Sequence, residues 1–164
     1  MSDEKPDPPR PAQDSRGFFM LSRSPAESGW YTYGRLNGSP DRGAYQYPHP
    51  IMMTAILRVG LEWQAIDKRR FGVGNISLAD GPKHKDHVGH RNGLQVDLRA
   101  IRKDGLETPV KWTDRDYDHD ATAKLIELFR TFAPVKKVLF NDTKIPFVAW
   151  AADHDDHFHL ELIG

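Results

Sequence analysis

This chain of 164 residues contains no cysteine. No disulfide can brace the fold, and no thiolate can hold a metal. The same absence suits either side of a membrane, so it leaves the compartment open. Net charge is lacking too, because 23 Lys and Arg balance 23 Asp and Glu. There is no basic field to draw in nucleic acid or an anionic membrane. No apolar run approaches the roughly 20 residues that a membrane-spanning helix needs. No signal peptide is visible, since the N-terminus is acidic and Pro-rich and Phe18-Phe19-Met20-Leu21 is too short for an h-region. Residues 1–16 hold four prolines, many charges and almost nothing apolar, and read as a disordered Pro-rich arm before one domain over 17–164.

What the chain does have is histidine, placed unevenly. Five of its eight histidines fall in two blocks. The first runs His87-Val88-Gly89-His90-Arg91-Asn92-Gly93-Leu94-Gln95-Val96-Asp97. The second is His154-Asp155-Asp156-His157-Phe158-His159. Two histidines and a carboxylate can hold a metal and leave a position open for water, which is the arrangement of a zinc hydrolase.

The elements around the blocks follow from periodicity. Residues 29–50 form a long irregular entry packed through Trp30, Tyr31, Tyr33 and Tyr45. Pro50 opens a helix to about Lys68, with Ile51, Ala55, Val59 and Trp63 or Ile66 at helical spacing. Val73–Leu78 reads as a strand. Residues 83–90 are a polar loop with His84 exposed. From Leu94 to Arg99 the pattern alternates, Leu94, Val96 and Leu98 on one face and Gln95, Asp97 and Arg99 on the other. A hairpin at Lys103-Asp104-Gly105 would lead to a strand over Pro109–Trp112. Asp118 caps a helix over 119–132, and Val135–Phe140 is another strand. The last strand, about 157–163, turns Phe158, Leu160 and Leu162 one way and His157, His159 and Glu161 the other. The fold class expected is α+β, a small antiparallel sheet with helices on its apolar face and the zinc cleft on the other.

Strand geometry sets the site. In His157-Phe158-His159 the two imidazoles share a face, their Cα atoms about 6.5–7 Å apart. If the strands are neighbours, Asp97 meets one of these histidines at a single ion, and Gly93 lets the loop fold back so that His90 reaches the same point. The expected ligands are therefore His90, Asp97 and one of His157 or His159. A lone His-x-His on an edge strand usually means nothing, and Asp86, Asp153, Asp155 and Asp156 read as solvated loop charges. His49 and His119 read as structural or inert. What raises the site above chance is that both blocks put metal-type residues on the non-core face. An Fe(II) oxygenase also uses two histidines and a carboxylate, but there the first His and the acid usually stand two apart rather than seven.

His90-x-x-Gly93-x-x-x-Asp97, joined to His157-x-His159, resembles the lysostaphin / D-Ala-D-Ala metallopeptidase / hedgehog superfamily. Within it the chain is most similar to the penicillin-insensitive murein endopeptidases. Those carry a further His three before the first ligand and another three before the His-x-His pair, where His87 and His154 stand. Arg70–Ser77 and Val138–Asp142 also look like segments of that family. The resemblance spans roughly residues 29–164. It implies a hedgehog / D-Ala-D-Ala peptidase-like fold and zinc held by His90, Asp97 and His159. It implies His157 as the catalytic histidine, with His87 and His154 orienting ligands or binding substrate. D-Ala-D-Ala dipeptidases place a Glu three before the zinc His of the last strand. Asp156 stands there, which leaves the base open between His157 and Asp156.

The implied activity is hydrolysis of peptidoglycan cross-links, at the bond between D-Ala and meso-diaminopimelate. A D,D-carboxypeptidase acting on wall peptides is the alternative, as is a zinc-stabilised binding domain without catalysis. The expected partners are peptidoglycan stem peptides, and an immunity or inhibitor protein or a secretion apparatus could join them. A wall hydrolase without a leader would be made in the cytoplasm and reach the wall through lysis, as an endolysin, or through a secretion system, as an antibacterial effector.

Overall fold

The computed structural model describes residues 6–23, 27–85, 87 and 89–164. Asp86 and residues 1–5 of the expected arm lie outside the described residues. The chain forms a mixed α+β fold in which strands β1 (Trp30–Thr32), β2 (Arg35–Leu36) and β3 (Ser39–Pro40) precede helix α1 (Pro50–Ile66). Strands β4 (Phe71–Val73) and β5 (Gln95–Arg99) follow, then helix α2 (His119–Phe132) and strands β6 (Val135–Leu139), β7 (Val148–Ala149) and β8 (His157–Leu162).

Six strands make one sheet in the order β1-β4-β5-β8-β6-β7, and β2 pairs with β3 apart from it. The sheet is mixed rather than antiparallel, because β1 runs parallel to β4 and β6 parallel to β7. The four inner strands are antiparallel. The parallel pairs sit at the two edges, where long connections through α1 and through residues 140–147 bring the chain back in the same direction.

Both helices start where their caps dictate. At α1 the His49 Nδ1 accepts the Ile51 N–H at 3.1 Å, with Pro50 in the first turn where its missing N–H costs nothing. At α2 the Asp118 carboxylate accepts the Ala121 N–H at 3.0 Å. Their inner faces, Met52, Ala55, Ile56, Val59 and Trp63 on α1 and Leu125, Ile126 and Phe129 on α2, join one hydrophobic core with Val96, Leu98, Phe158 and Leu160 of the sheet. The alternation expected for β5 and β8 thus turns their apolar residues under the helices. Full burial of each such side chain contributes about 1.5–3 kcal/mol. Asp97, His157 and His159 are left for the opposite face.

Two expected strands differ. Val73–Leu78 is a strand only at its start, and beyond Val73 the chain leaves the sheet. There backbone bonds to Asp97, Tyr45 and Tyr47 continue irregularly, and the Ser77 hydroxyl on the Tyr47 carbonyl and the Gln46 amide on the Gly74 carbonyl add to them. No strand forms over 109–112; instead Arg102 bridges Tyr117. His84, expected exposed, is half-buried edge-on to Tyr45 with ring centroids 5.7 Å apart. Part of the arm also lies against the body. The buried Asp14 carboxylate accepts N–H groups of Arg16, Phe18 and Asp80 at 2.9–3.1 Å, and Arg10 donates to the Asp41 carbonyl at 2.8 Å.

Candidate metal centre

The pairing of β5 with β8 brings the two histidine blocks together. In that register Asp97 lies opposite His159 and Arg99 opposite His157. Directly opposed residues point to the same face, so Asp97, His157 and His159 share the face away from the helices. The first block reaches them through its loop. Gly93 is left-handed at φ +74°, and a Cβ there would come within 2.3 Å of the His49 nitrogen, so only glycine lets the loop return this closely. His90 is itself left-handed at φ +56°, an uncommon conformation for a residue with a side chain. Its N–H is caught by the Gln95 carboxamide oxygen at 2.6 Å, which holds the backbone there.

His87, His90 and Asp97 could hold a metal ion, since one ligand atom from each lies within 4.8 Å of the others. His159 stands beside this group. Its Nδ1 is 3.2 Å from Asp97 Oδ1, and His90 Nε2 is 3.3 Å from the same oxygen. The rings of His90 and His159 meet edge to face at 5.0 Å. His157 and His154 stack 5.0 Å apart, and His154 lies 6.0 Å from His159. All six residues singled out in the sequence therefore gather at one place. His87, Asp97 and His157 line a cleft of about 380 Å³, while His90 is buried.

Hydrogen bonding decides which nitrogens are free to ligate. His90 Nδ1 lies 3.1 Å from the Ile76 carbonyl, an acceptor only, so Nδ1 carries a hydrogen and Nε2 is the nitrogen that faces Asp97, where a metal would displace its proton. His87 is placed differently. The Asn75 side chain accepts the Arg35 N–H at 2.8 Å through its oxygen and donates to the Arg35 carbonyl at 2.9 Å through its nitrogen. That fixes the amide, so it is Nδ2 that meets His87 Nε2 at 2.7 Å, and His87 accepts there. His87 Nε2 is thereby engaged by an amide, whereas His90 Nε2 faces the Asp97 carboxylate. Of the near histidines, His90 is the better ligand and His87 the better support.

The charges suit a cation. Burial works to raise the Asp97 pKa, but the His90 charge and the hydrogen bonds from His159 and His90 hold it well below the carboxylate range. Asp97 is an anion at neutral pH, buried and met by donor nitrogens. Burial works to lower the pKa of His157, yet its hydrogen bond to Asp156 (Nδ1 to Oδ1, 2.8 Å) and the Asp97 charge carry it above its ordinary value. Burial depresses that of His154, whose Nδ1 is bonded to the Ala152 carbonyl at 2.7 Å. Asp156, read as a solvated charge, is thus the partner of His157, and Asp155 accepts from the Asn141 amide at 2.5 Å.

The sequence reading missed the supports. Gln95 was legible in part, because it sits two before Asp97 on the polar face of β5. Asn75 carried no periodic signal, as its role depends on a loop that leaves the sheet. Tyr33, Arg35 and Arg99, which also line the cleft, were not singled out as site residues. No family model matches the chain, and no curated protein matches it.

Proposed function

We propose that the protein is a zinc-dependent peptidoglycan endopeptidase of hedgehog / D-Ala-D-Ala peptidase-like fold, cutting the D-Ala–meso-diaminopimelate cross-link. The observation that carries the reading is the β5–β8 register, which sets a donor group and a carboxylate-oriented histidine side by side in an open cleft. His90, Asp97 and His159 would hold the metal, and two imidazoles with one carboxylate are a donor set suited to zinc. Zinc bound there supplies Lewis-acid polarisation of the scissile carbonyl and a water of pKa about 7.

The chain's own residues do the rest. Asp156 fixes the His157 ring through Nδ1, leaving Nε2 as the nitrogen for the cleft. His157 takes the proton of the attacking water as its oxygen adds to the carbonyl carbon. When the C–N bond breaks, the same nitrogen returns the proton to the leaving amine. This divides the question of the base: His157 moves the proton and Asp156 orients it. His87, held by Asn75, and His154, stacked on His157, keep the ligands and the base in place.

The test is digestion of diaminopimelate-type peptidoglycan with products resolved by mass. Zinc-loaded protein is expected to convert cross-linked dimers to monomers. Chelated protein and a His159→Ala variant should leave dimers intact. Dimers that persist with zinc verified in the protein would sink the endopeptidase and favour a zinc-stabilised binding domain. Release of terminal D-Ala from monomers alone would instead mark a carboxypeptidase.

A further inference from the structure

The cleft does not end at the candidate ligands. Tyr33, Arg35 and Arg99 belong both to it and to a second cavity of about 630 Å³ that continues the groove. Two of the lining side chains, Tyr31 and Tyr33, pack against Gly72 and Gly74. A Cβ on Gly72 would come within 2.8 Å of the Tyr31 hydroxyl, and one on Gly74 within 2.6 Å of the Tyr33 ring. Two glycines leave the space that two phenol rings fill against β4.

Arg99 lies on those rings. Its guanidinium stands 3.9 Å from the Tyr33 ring centroid, a close cation–π stack. Nη1 donates to the Glu107 carbonyl at 3.0 Å and lies 3.4 Å from the Tyr31 hydroxyl. Nε is buried with no hydrogen-bond partner, an unmade bond that costs free energy until an acceptor meets it. Arg35 is exposed, its backbone clamped by Asn75, and no carboxylate among the described residues pairs with its side chain.

The continuing cavity is unbalanced in charge. Five arginines face two carboxylates. One of these, Glu107, is taken by Arg70 at 2.7 Å, and the other, Asp41, accepts the N–H groups of Gly43 and Tyr45 at 3.1 and 3.0 Å. A chain of zero net charge thus concentrates guanidinium groups in excess of carboxylates beside its candidate centre.

We propose that this cavity is a carboxylate-binding subsite, in which Arg99 and Arg35 anchor an acidic group of the peptide lying across the cleft. The guanidinium of Arg99, stacked on Tyr33 and held at Nη1, lines the cavity as a fixed cation for a carboxylate. The identity of the occupant as a substrate rests on the peptidase reading above; the affinity for a carboxylate does not. The acid could be a peptide C-terminus or a diaminopimelate side chain, and both offer the same two oxygens.

The test is calorimetry on the full zinc-loaded chain, with metal content measured for every variant. The probes are one D-Ala–diaminopimelate peptide as the free acid, with its C-terminus amidated, and with its side-chain carboxylate amidated. The free acid should bind about 10–100-fold more tightly than the form amidated at the anchored position. Arg99→Gln and Arg35→Gln should each erase most of that preference while zinc stays bound. Arg35 is exposed, so its variant remains readable even if Arg99→Gln loses its fold. Equal binding of all three peptides, or a preference unchanged in Arg35→Gln and in a folded Arg99→Gln, would overturn the subsite. An acid preference without bond cleavage keeps the subsite and ends the peptidase reading; cleavage without the preference does the reverse.

Discussion

Among the described residues, two places set histidine against a buried aspartate, and one of the two resembles a metal centre. Asp97 is 8 % exposed and Asp142 is 2 % exposed. At Asp142 a single oxygen accepts the Tyr117 hydroxyl at 2.6 Å and meets His119 Nδ1 at 2.6 Å. These contacts are short and complete, and one donor is a phenol that does not ligate zinc in ordinary sites. At Asp97 the corresponding contacts are 3.3 and 3.2 Å, both donors are imidazoles, a third imidazole stands in reach, and the carboxylate faces a cleft. Proximity of His and Asp is therefore not the signal. What distinguishes the centre is a surplus of nitrogen donors, loosely met, around an acid that opens to solvent.

The sharpest way to break that contrast is to remove each aspartate. Asp97→Ala should abolish zinc uptake and wall hydrolysis together, read by metal analysis and by dimer conversion. Bound zinc at wild-type stoichiometry in that variant would show that the ion sits elsewhere. Next in size is His157→Ala, which should keep its zinc and lose about 10²–10⁴-fold in kcat, the usual worth of a positioned acid–base group. Equal turnover in wild type and variant would remove His157 from the proton path. Asn75→Ala should weaken zinc affinity by about 10–100-fold, the effect of losing a group that orients the residues around a metal. Unchanged affinity would mean that its clamp on Arg35, not its bond to His87, is what it is for.

The same contrast explains what could be read from the sequence. The alternation in Gln95–Arg99 and His157–Leu162 was clear because a sheet with one buried face enforces a period of two. Both helices were legible through Asp118 and Pro50 and the spacing of their buried residues. The parallel edges were not, since no local pattern tells which strand a short β1 or β7 will join. Nor was the Asp142 cluster, because Tyr117, His119 and Asp142 meet only after α2 has folded back over the sheet. Within the candidate centre, the histidines and the aspartate that gather were legible and their support was not. Asn75 acts through both polar groups of Arg35, a contact forty residues away in the chain that no spacing rule anticipates.

The smallest expected effect isolates the closed cluster. Asp142→Asn should leave zinc content and dimer conversion as in wild type, while lowering stability at pH 7 by about 1–3 kcal/mol for the loss of charge-assisted bonds in a buried site. The pH dependence gives the sign. Burial works to raise the Asp142 pKa, but the hydrogen bonds from Tyr117 and His119 hold it below its ordinary value. A depressed carboxylate stabilises the fold fully above its unfolded pKa, and that contribution is lost as pH falls through the lower folded value. The gap between wild type and variant in urea denaturation should therefore be full at pH 7 and shrink in the acid range below about pH 4. A gap that stays constant down to pH 3 would mean that Asp142 acts through shape rather than charge. Loss of zinc in this variant would erase the distinction between the two clusters.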